Sequence, residues 1–190
     1  MSRAEEHGSD AFLAEVRALD DALDVLEDVP GELTPPPGLR DAILAAASPV
    51  GRFERFADRL AAMLDVTRER AVSLLDAIPD LPWQPAHLPG SATCWVDGGP
   101  ATDGAIRGFV RYPAATPFPE HRHLGRETVL FLSGGATMSD GAECRPGDVH
   151  VMPAGSRHSF ETHPGPDLLY FVVVFDGVDM GGGMVLKPES

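Results

Sequence analysis

The chain is poor in cysteine and in positive charge, and it has no long apolar run. Its two cysteines, Cys94 and Cys144, have no paired spacing, so a disulfide scaffold is excluded. Fifteen Lys and Arg against 29 Asp and Glu give a net charge of −14, which disfavours binding to a nucleic-acid backbone or an anionic membrane. The longest apolar run, Leu168–Phe175, is too short to span a bilayer.

The N-terminal residues are acidic and lack the features of a targeting segment. No apolar segment follows Met1–Glu6, so we expect no signal peptide and predict a cytoplasmic protein. Residues 1–50 contain 3 Arg and no Lys against 11 Asp and Glu, a net charge of −8. Two interpretations stay open: a solvated arm, or a docking surface for a basic partner.

The first half of the chain has helical periodicity. Apolar residues at steps of three and four predict a helix over 9–28, which packs either on its own chain or on a second protein. Proline and glycine at 30–38 indicate a linker, and Leu39–Ala47 a short helix. Two further apolar stripes predict helices up to residue 78, the second capped by Thr67. We therefore assign residues 1–84 to a helical region.

From residue 85 the pattern changes to short strands separated by glycine and proline. Such a succession is typical of an all-β domain, here 85–178, followed by a flexible tail at 179–190. Eight strands suit a jelly-roll barrel, so the predicted fold class is α+β. The predicted strands are Thr93–Val96, Ala105–Tyr112, Phe118–His123, Thr128–Leu132, Ala136–Ser139, Val149–Met152, Ser159–Thr162 and Leu168–Phe175.

Four polar residues in the β half have the spacing of a metal site. His121, His123 and Glu127 form an HxHxxxE unit, and His158 ends a second unit rich in glycine and proline. Side chains alternate along a strand, so His121 and His123 share a face and could reach one ion. Because turn residues separate His158 from Glu127, His158 must come from another strand. Three imidazoles and a carboxylate suit zinc, iron, manganese, nickel or copper.

These two segments resemble the paired motifs of the cupin superfamily. The resemblance implies that His121, His123, Glu127 and His158 are metal ligands, while Gly134, Gly147, Pro153 and Gly155 match the turn positions. Ala115 stands where the first motif has its leading glycine, and Thr162 stands where the second motif has its final asparagine.

A narrower resemblance is to the cupin domain of ChrR-type anti-sigma factors. It rests on Gly104–Arg111, His121–Glu127 and Asp140–Asp148 and covers roughly residues 85–178. It implies a metal-binding sensor or transcriptional regulator, with zinc as the favoured ion and a sigma factor held by the acidic N-terminal helices. That family carries an HxxxCxxC zinc motif in its N-terminal domain, and this chain has none.

A second functional class stays open beside the regulator. The complete ligand set also suits a small metal-dependent dioxygenase or related oxidoreductase, with no separate catalytic residue identified. In either case we predict one divalent metal ion, a possible homodimer and a possible small-molecule ligand in the barrel.

Four other residues near the motifs have open roles. His150 is either a rim histidine or a further ligand or acid–base group, and His163 is expected in a loop. Cys144 lies in a predicted turn, where it is either an exposed thiol or one whose pKa Arg145 lowers. Cys94 is expected to pack as a small apolar residue.

Overall fold

A computed structural model of the chain describes residues 35–40 and 51–188. The chain divides into two compact units, Met1–Ala42 and Ile43–Ser190. In the first unit the described residues are exposed, with a turn at Pro37 and Gly38 followed by helical backbone at Leu39 and Arg40. The helix predicted over 9–28 and the rest of Leu39–Ala47 lie outside the described residues, so both stay predictions.

The helices of the second unit match the predicted apolar stripes. They are a 3₁₀ turn at Glu54–Phe56, α1 (Ala57–Leu64), α2 (Arg68–Asp76) and a second 3₁₀ turn at Ile78–Asp80. Thr67 caps α2 as predicted, because its side chain accepts a hydrogen bond from the backbone N–H of Arg70 at 3.3 Å. No helix within residues 35–40 and 51–188 is long and apolar enough to cross a membrane.

The strands form two antiparallel six-stranded sheets. All eight predicted strands are confirmed, each within two residues of its predicted ends. Sheet 1 has the order β1-β2-β3-β10-β5-β8 and sheet 2 the order β12-β11-β4-β9-β6-β7. The strands are β1 (Gln84–Pro85), β2 (Ala92–Trp95), β3 (Ala105–Tyr112), β4 (Pro117–His123), β5 (Glu127–Ser133), β6 (Ala136–Met138), β7 (Glu143–Cys144), β8 (Val149–Met152), β9 (Arg157–Thr162), β10 (Leu168–Phe175), β11 (Val178–Gly181) and β12 (Met184–Leu186). A 3₁₀ turn at Pro100–Thr102 precedes β3.

Four strands were not predicted, and two of them lie at the end of the chain. The segment expected to be a flexible tail forms the β11–β12 hairpin, in which Val178 pairs with Leu186. The hairpin joins sheet 2 through β4, where Val178 lies opposite His123. Backbone pairing, which the glycine-rich sequence did not indicate, therefore extends the β region to residue 186.

Alternation along the central strands supplies two cores. On β5, Val129 and Phe131 pack in the core between the sheets, while Leu130 and Leu132 pack on the opposite face of sheet 1. The inner core contains residues of both sheets, so the sheets face each other. The two facing antiparallel sheets of the predicted jelly roll are therefore present, and closure into a barrel stays a prediction.

The helices cover the outer face of sheet 1. Leu60, Leu64 and Leu75 belong to the same cluster as Phe109 and Phe171 of the sheet, and all five are fully buried. The predicted boundary at 84/85 therefore crosses a continuous apolar core. Independent folding of 85–178 stays a prediction, and it would require this face of sheet 1 to remain uncovered.

Candidate metal centre

Three strands carry the predicted ligands and bring the three histidines into one group, with Glu127 beside that group but not part of it. His121 and His123 lie on β4 with one residue between them, and both are buried, at 4% and 0% exposure. His158 lies on β9, where the register places it opposite His121. Glu127 is the first residue of β5 and is also buried. The sequence spacing thus places all four side chains between the two sheets.

The three histidines form a compact cluster. The Nε2 atoms of His121 and His158 are 2.9 Å apart, and each imidazole ring lies within 5.0 Å of the other two. One nitrogen from each ring lies within 4.8 Å of the other two. Such a group of imidazoles could hold a metal ion. Glu127 approaches the cluster through Oε2, which lies 3.3 Å from Nε2 of His123.

Hydrogen bonds outside the cluster orient two of the rings. Nδ1 of His121 lies 3.1 Å from the carbonyl oxygen of Pro119, which can only accept, so Nδ1 carries the proton. Nδ1 of His123 lies 2.9 Å from Oγ of Ser156, whose own hydroxyl donates to Pro153 O at 2.7 Å. In both rings Nε2 is then left with a free lone pair, as a metal ligand requires.

One of these lone pairs makes no hydrogen bond. Nε2 of His123 is fully buried and has no hydrogen-bond partner among the described residues, although Oε2 of Glu127 lies 3.3 Å away. Buried polar atoms are normally satisfied, so an orphaned nitrogen in a cluster of nitrogens indicates a missing electrophile. A divalent cation among the three imidazoles would satisfy it.

Burial keeps the cluster uncharged. It lowers the pKa of His123 to about 4, with the neighbouring charges of His121 and His150 acting in the same direction. Burial followed by the other histidines lowers the pKa of His158 to about 3, and burial raises the pKa of Glu127 to about 8. Neutral imidazole is the form that binds metal.

The separations also fit a common ion. Two ligand atoms each about 2.1 Å from one ion are roughly 3.0 Å apart at a right angle and about 3.4 Å apart at the tetrahedral angle. The His121–His158 and His123–Glu127 separations are 2.9 and 3.3 Å. Donor type, burial and spacing therefore all suit a divalent transition metal.

The remaining predicted residues have mixed outcomes. His163 follows β9 in a loop as predicted, and its Nε2 lies 3.1 Å from Glu143 Oε2. His150 is half-buried on β8, with Nδ1 3.6 Å from Sγ of Cys144. It is not a member of the histidine cluster.

Both interpretations of Cys144 are wrong. The thiol is neither exposed nor acidified: it is 5% exposed and packs in the inner core. Burial, with the charges of Asp148, Asp140 and Glu143, raises its pKa to about 11. The backbone of β7 turns Cys144 inward, and Arg145 has no place among the groups that shift it. Cys94 is buried as predicted.

Two residues of the site were missed in the sequence. Ser156 orients His123, and its signal was only that it follows Gly155 in a turn. Tyr170 lines the same cavity as His121, and burial followed by the charge of Glu127 raises its pKa. Strict alternation of Leu168, Tyr170 and Val172 along β10 could have identified it, because the other two residues face the inner core.

The two departures from the cupin motifs meet in one turn. Ala115, which replaces the glycine, has a positive φ of 48° and is exposed. Thr162, which replaces the asparagine, accepts a hydrogen bond from the Thr116 N–H at 2.8 Å and donates to Pro113 O at 2.7 Å.

Comparison with known proteins agrees with this architecture. A family model described as the ChrR cupin-like domain matches residues 73–175, more than half of the chain. The chain belongs to this family. The resemblance to cupins and to ChrR-type cupin domains is thereby confirmed. No curated protein matches the chain significantly.

The solved structures that resemble this chain share little sequence with it. A proposed acetylacetone dioxygenase from Methylibium petroleiphilum is 14% identical with a TM-score of 0.50, and the match covers 58% of this chain and 85% of that one. The complex of SigE with the anti-sigma factor ChrR from Rhodobacter sphaeroides is 18% identical with a TM-score of 0.47, and the match covers 87% of this chain and 81% of that one. An RmlC-like cupin from Ralstonia eutropha is 20% identical with a TM-score of 0.48, and the match covers 58% of this chain and 73% of that one. The first of these likenesses shows the cupin fold and nothing more.

Proposed function

We propose that this ChrR-like cupin is a metal-binding regulatory protein. In this proposal the two-sheet domain is the sensor, and the N-terminal half contacts a protein partner. The observation that carries it is the buried histidine cluster, with its orphaned Nε2 on His123, inside a domain of the ChrR cupin-like family.

The proposed ligands are His121, His123, Glu127 and His158. Glu127 is included because Oε2 lies 3.3 Å from the orphaned nitrogen and because its charge would offset that of the ion. Three nitrogens and one carboxylate oxygen favour zinc, with iron, manganese, nickel and copper as alternatives. When bound, such an ion supplies a Lewis acid within the cavity between the sheets.

Elemental analysis of purified protein tests the centre. We expect close to one ion per chain, lost in the double variant His121→Ala, His158→Ala. His163→Ala is the matched control, because this histidine lies in a loop outside the cluster, and it should keep its metal. Full occupancy in the double variant would rule out the ligand assignment.

The proposed partner is a sigma factor bound by the acidic N-terminal half. The support is the ChrR family assignment and the net charge of −8 in residues 1–50. Without the HxxxCxxC motif, the N-terminal half would rely on apolar packing rather than zinc. A sigma factor would also place the protein in the cytoplasm. The homodimer stays a prediction that size-exclusion chromatography can check.

Recovery of partners from the native host tests the regulator directly. We expect full-length protein to retain a sigma factor at 0.05 M salt and to lose much of it at 1 M, where the screening length is roughly 3 Å. Mass spectrometry would identify the partner. Absence of any transcription protein under both conditions would contradict the proposal.

A metal-dependent dioxygenase or related oxidoreductase is the second candidate. The observation in its favour is that His121, Glu127 and His158 line a large cavity, so a small molecule could reach the ion. Iron content together with oxygen uptake on a small diketone or thiol would support it. Stoichiometric zinc without uptake would favour the regulator.

A further inference from the structure

The cavity beside the histidine cluster has an aromatic wall. It encloses about 790 Å³ between the sheets, within the range of small-molecule sites. The rings of Phe118 and Phe160 stack with centroids 4.5 Å apart and planes 16° apart. Tyr112 packs against both rings, and Phe118 contacts His121 edge-on with centroids 5.1 Å apart. A flat apolar surface therefore leads directly to one of the proposed ligands.

Among the described residues, no buried cation without a partner lines the same cavity. The cations that line it are Arg107 and Lys187. Arg107 alternates with the inward-facing Ile106 on β3, and its guanidinium donates to Thr102 O at 2.7 Å. Lys187 is exposed after β12. Apart from the histidines, Glu127 and two tyrosines, the polar lining comes mainly from segment 84–97, and it includes the acidic Asp97.

The entrance to the cavity is apolar as well. Six large apolar residues are exposed in the described parts of the chain. Three of them line this cavity: Trp95, Met184 and Val185, at 50%, 43% and 42% exposure. Exposed apolar groups gathered at one opening mark a binding site for an apolar molecule. The β11–β12 hairpin carries two of these three residues.

We infer that the cavity binds a small, uncharged, flat molecule with one polar end, which donates a lone pair to the proposed metal ion. The donor end faces the histidine cluster, and the apolar body lies along Phe118 and Phe160. A molecule with a charged group at the far end is not bound, because burying an unpaired charge costs more free energy than the apolar contacts of the molecule provide. This inference rests on the proposed metal centre, and it supplies the chemical class of the ligand or substrate of that centre.

Two phenols that differ only at the far end test the inference. Full-length zinc-loaded protein is titrated with 4-tert-butylphenol and with 4-hydroxybenzenesulfonate, which have the same donor and substituents of nearly equal size. Sulfonate is a poor metal ligand, so a reversed orientation gives it no advantage. We expect the uncharged phenol to bind at least tenfold more tightly by calorimetry.

Two variants locate the binding. Phe160→Leu should weaken 4-tert-butylphenol severalfold, because it removes one ring of the stack. Val151→Leu is the control, since Val151 is exposed on β8 and does not line the cavity. Both variants should keep the zinc content of the parent protein.

Failure of the inference is distinct from failure of the centre. Stoichiometric zinc with equal affinities, a preference for the sulfonate, or no binding of either phenol at millimolar concentration overturns the ligand class and leaves the centre intact. If the chain takes up no metal, the centre fails. The two phenols are then compared on metal-free protein, where the same apolar wall must still give the same preference.

Discussion

Replacing Ser156 by alanine tests how the histidine cluster is prepared for a metal. Oγ of Ser156 accepts from Nδ1 of His123 at 2.9 Å and donates to Pro153 O at 2.7 Å. His123 is fully buried and Ser156 is half-buried, so water could reach Nδ1 only through the space that the hydroxyl vacates. In Ser156→Ala the ring can rotate, or can move its proton to the nitrogen that must bind the ion.

The expected loss follows from the role of such partners. Removing a group that orients a metal-binding histidine weakens metal affinity by about 10- to 100-fold, or roughly 1.4–2.7 kcal/mol. The metal-free protein should also lose about 1–3 kcal/mol of stability, because a buried N–H is left unpaired. The loss with zinc present should exceed the loss without it.

Competition against a chromophoric zinc chelator measures the affinity, and thermal unfolding with and without zinc measures the stability. Ser159→Ala is the matched control: Ser159 is half-buried on β9, and its hydroxyl has no hydrogen bond among residues that the structure describes. A Ser156→Ala affinity within threefold of that control would refute the reasoning. His123 would then be held by packing alone.

Three further predictions concern stability and reactivity. Leu60→Ala should destabilise the protein by about 2–5 kcal/mol in chemical denaturation, because Leu60 is fully buried between α1 and sheet 1; a cost below about 1 kcal/mol would show that the helices do not complete the core. Ala115→Gly should stabilise the protein by up to about 1 kcal/mol, because it relieves a positive φ of 48°. Ala142→Gly is the control and should destabilise the protein, because Ala142 has an ordinary φ. A change of the same sign in both variants would contradict the strain at Ala115. Cys94 and Cys144 should not react with a disulfide reagent at pH 8 until the protein is unfolded, since burial raises both pKa values, that of Cys144 to about 11. Because the pKa of Cys144 is raised in the folded protein, the stability that its burial as a neutral thiol contributes is full below about pH 9 and declines as the pH rises towards 11. Rapid labelling of either thiol in the native protein would contradict the burial.

Much of the site could be predicted from local sequence. Side chains two residues apart on a strand share a face, so His121 and His123 had to point the same way. A glutamate that opens the next strand, and a histidine after a glycine–proline turn, completed the set of motifs. Alternation on β5 likewise placed Glu127, Val129 and Phe131 together. These inferences needed only the two-residue period of a strand.

Contacts between distant segments were decided by tertiary structure alone. Burial of Cys144 depends on how β7 pairs with β6, and the role of Ser156 depends on a hydrogen bond across 33 residues. The β11–β12 hairpin is short and has three consecutive glycines, so its place in the fold is shown only by its pairing with β4. The sequence by itself determined which residues could be ligands, because ligand type and strand period are local properties. Only the fold decided which atoms stay unpaired, which thiols are buried and what the cavity accepts, because those properties depend on neighbours that are far apart in the chain.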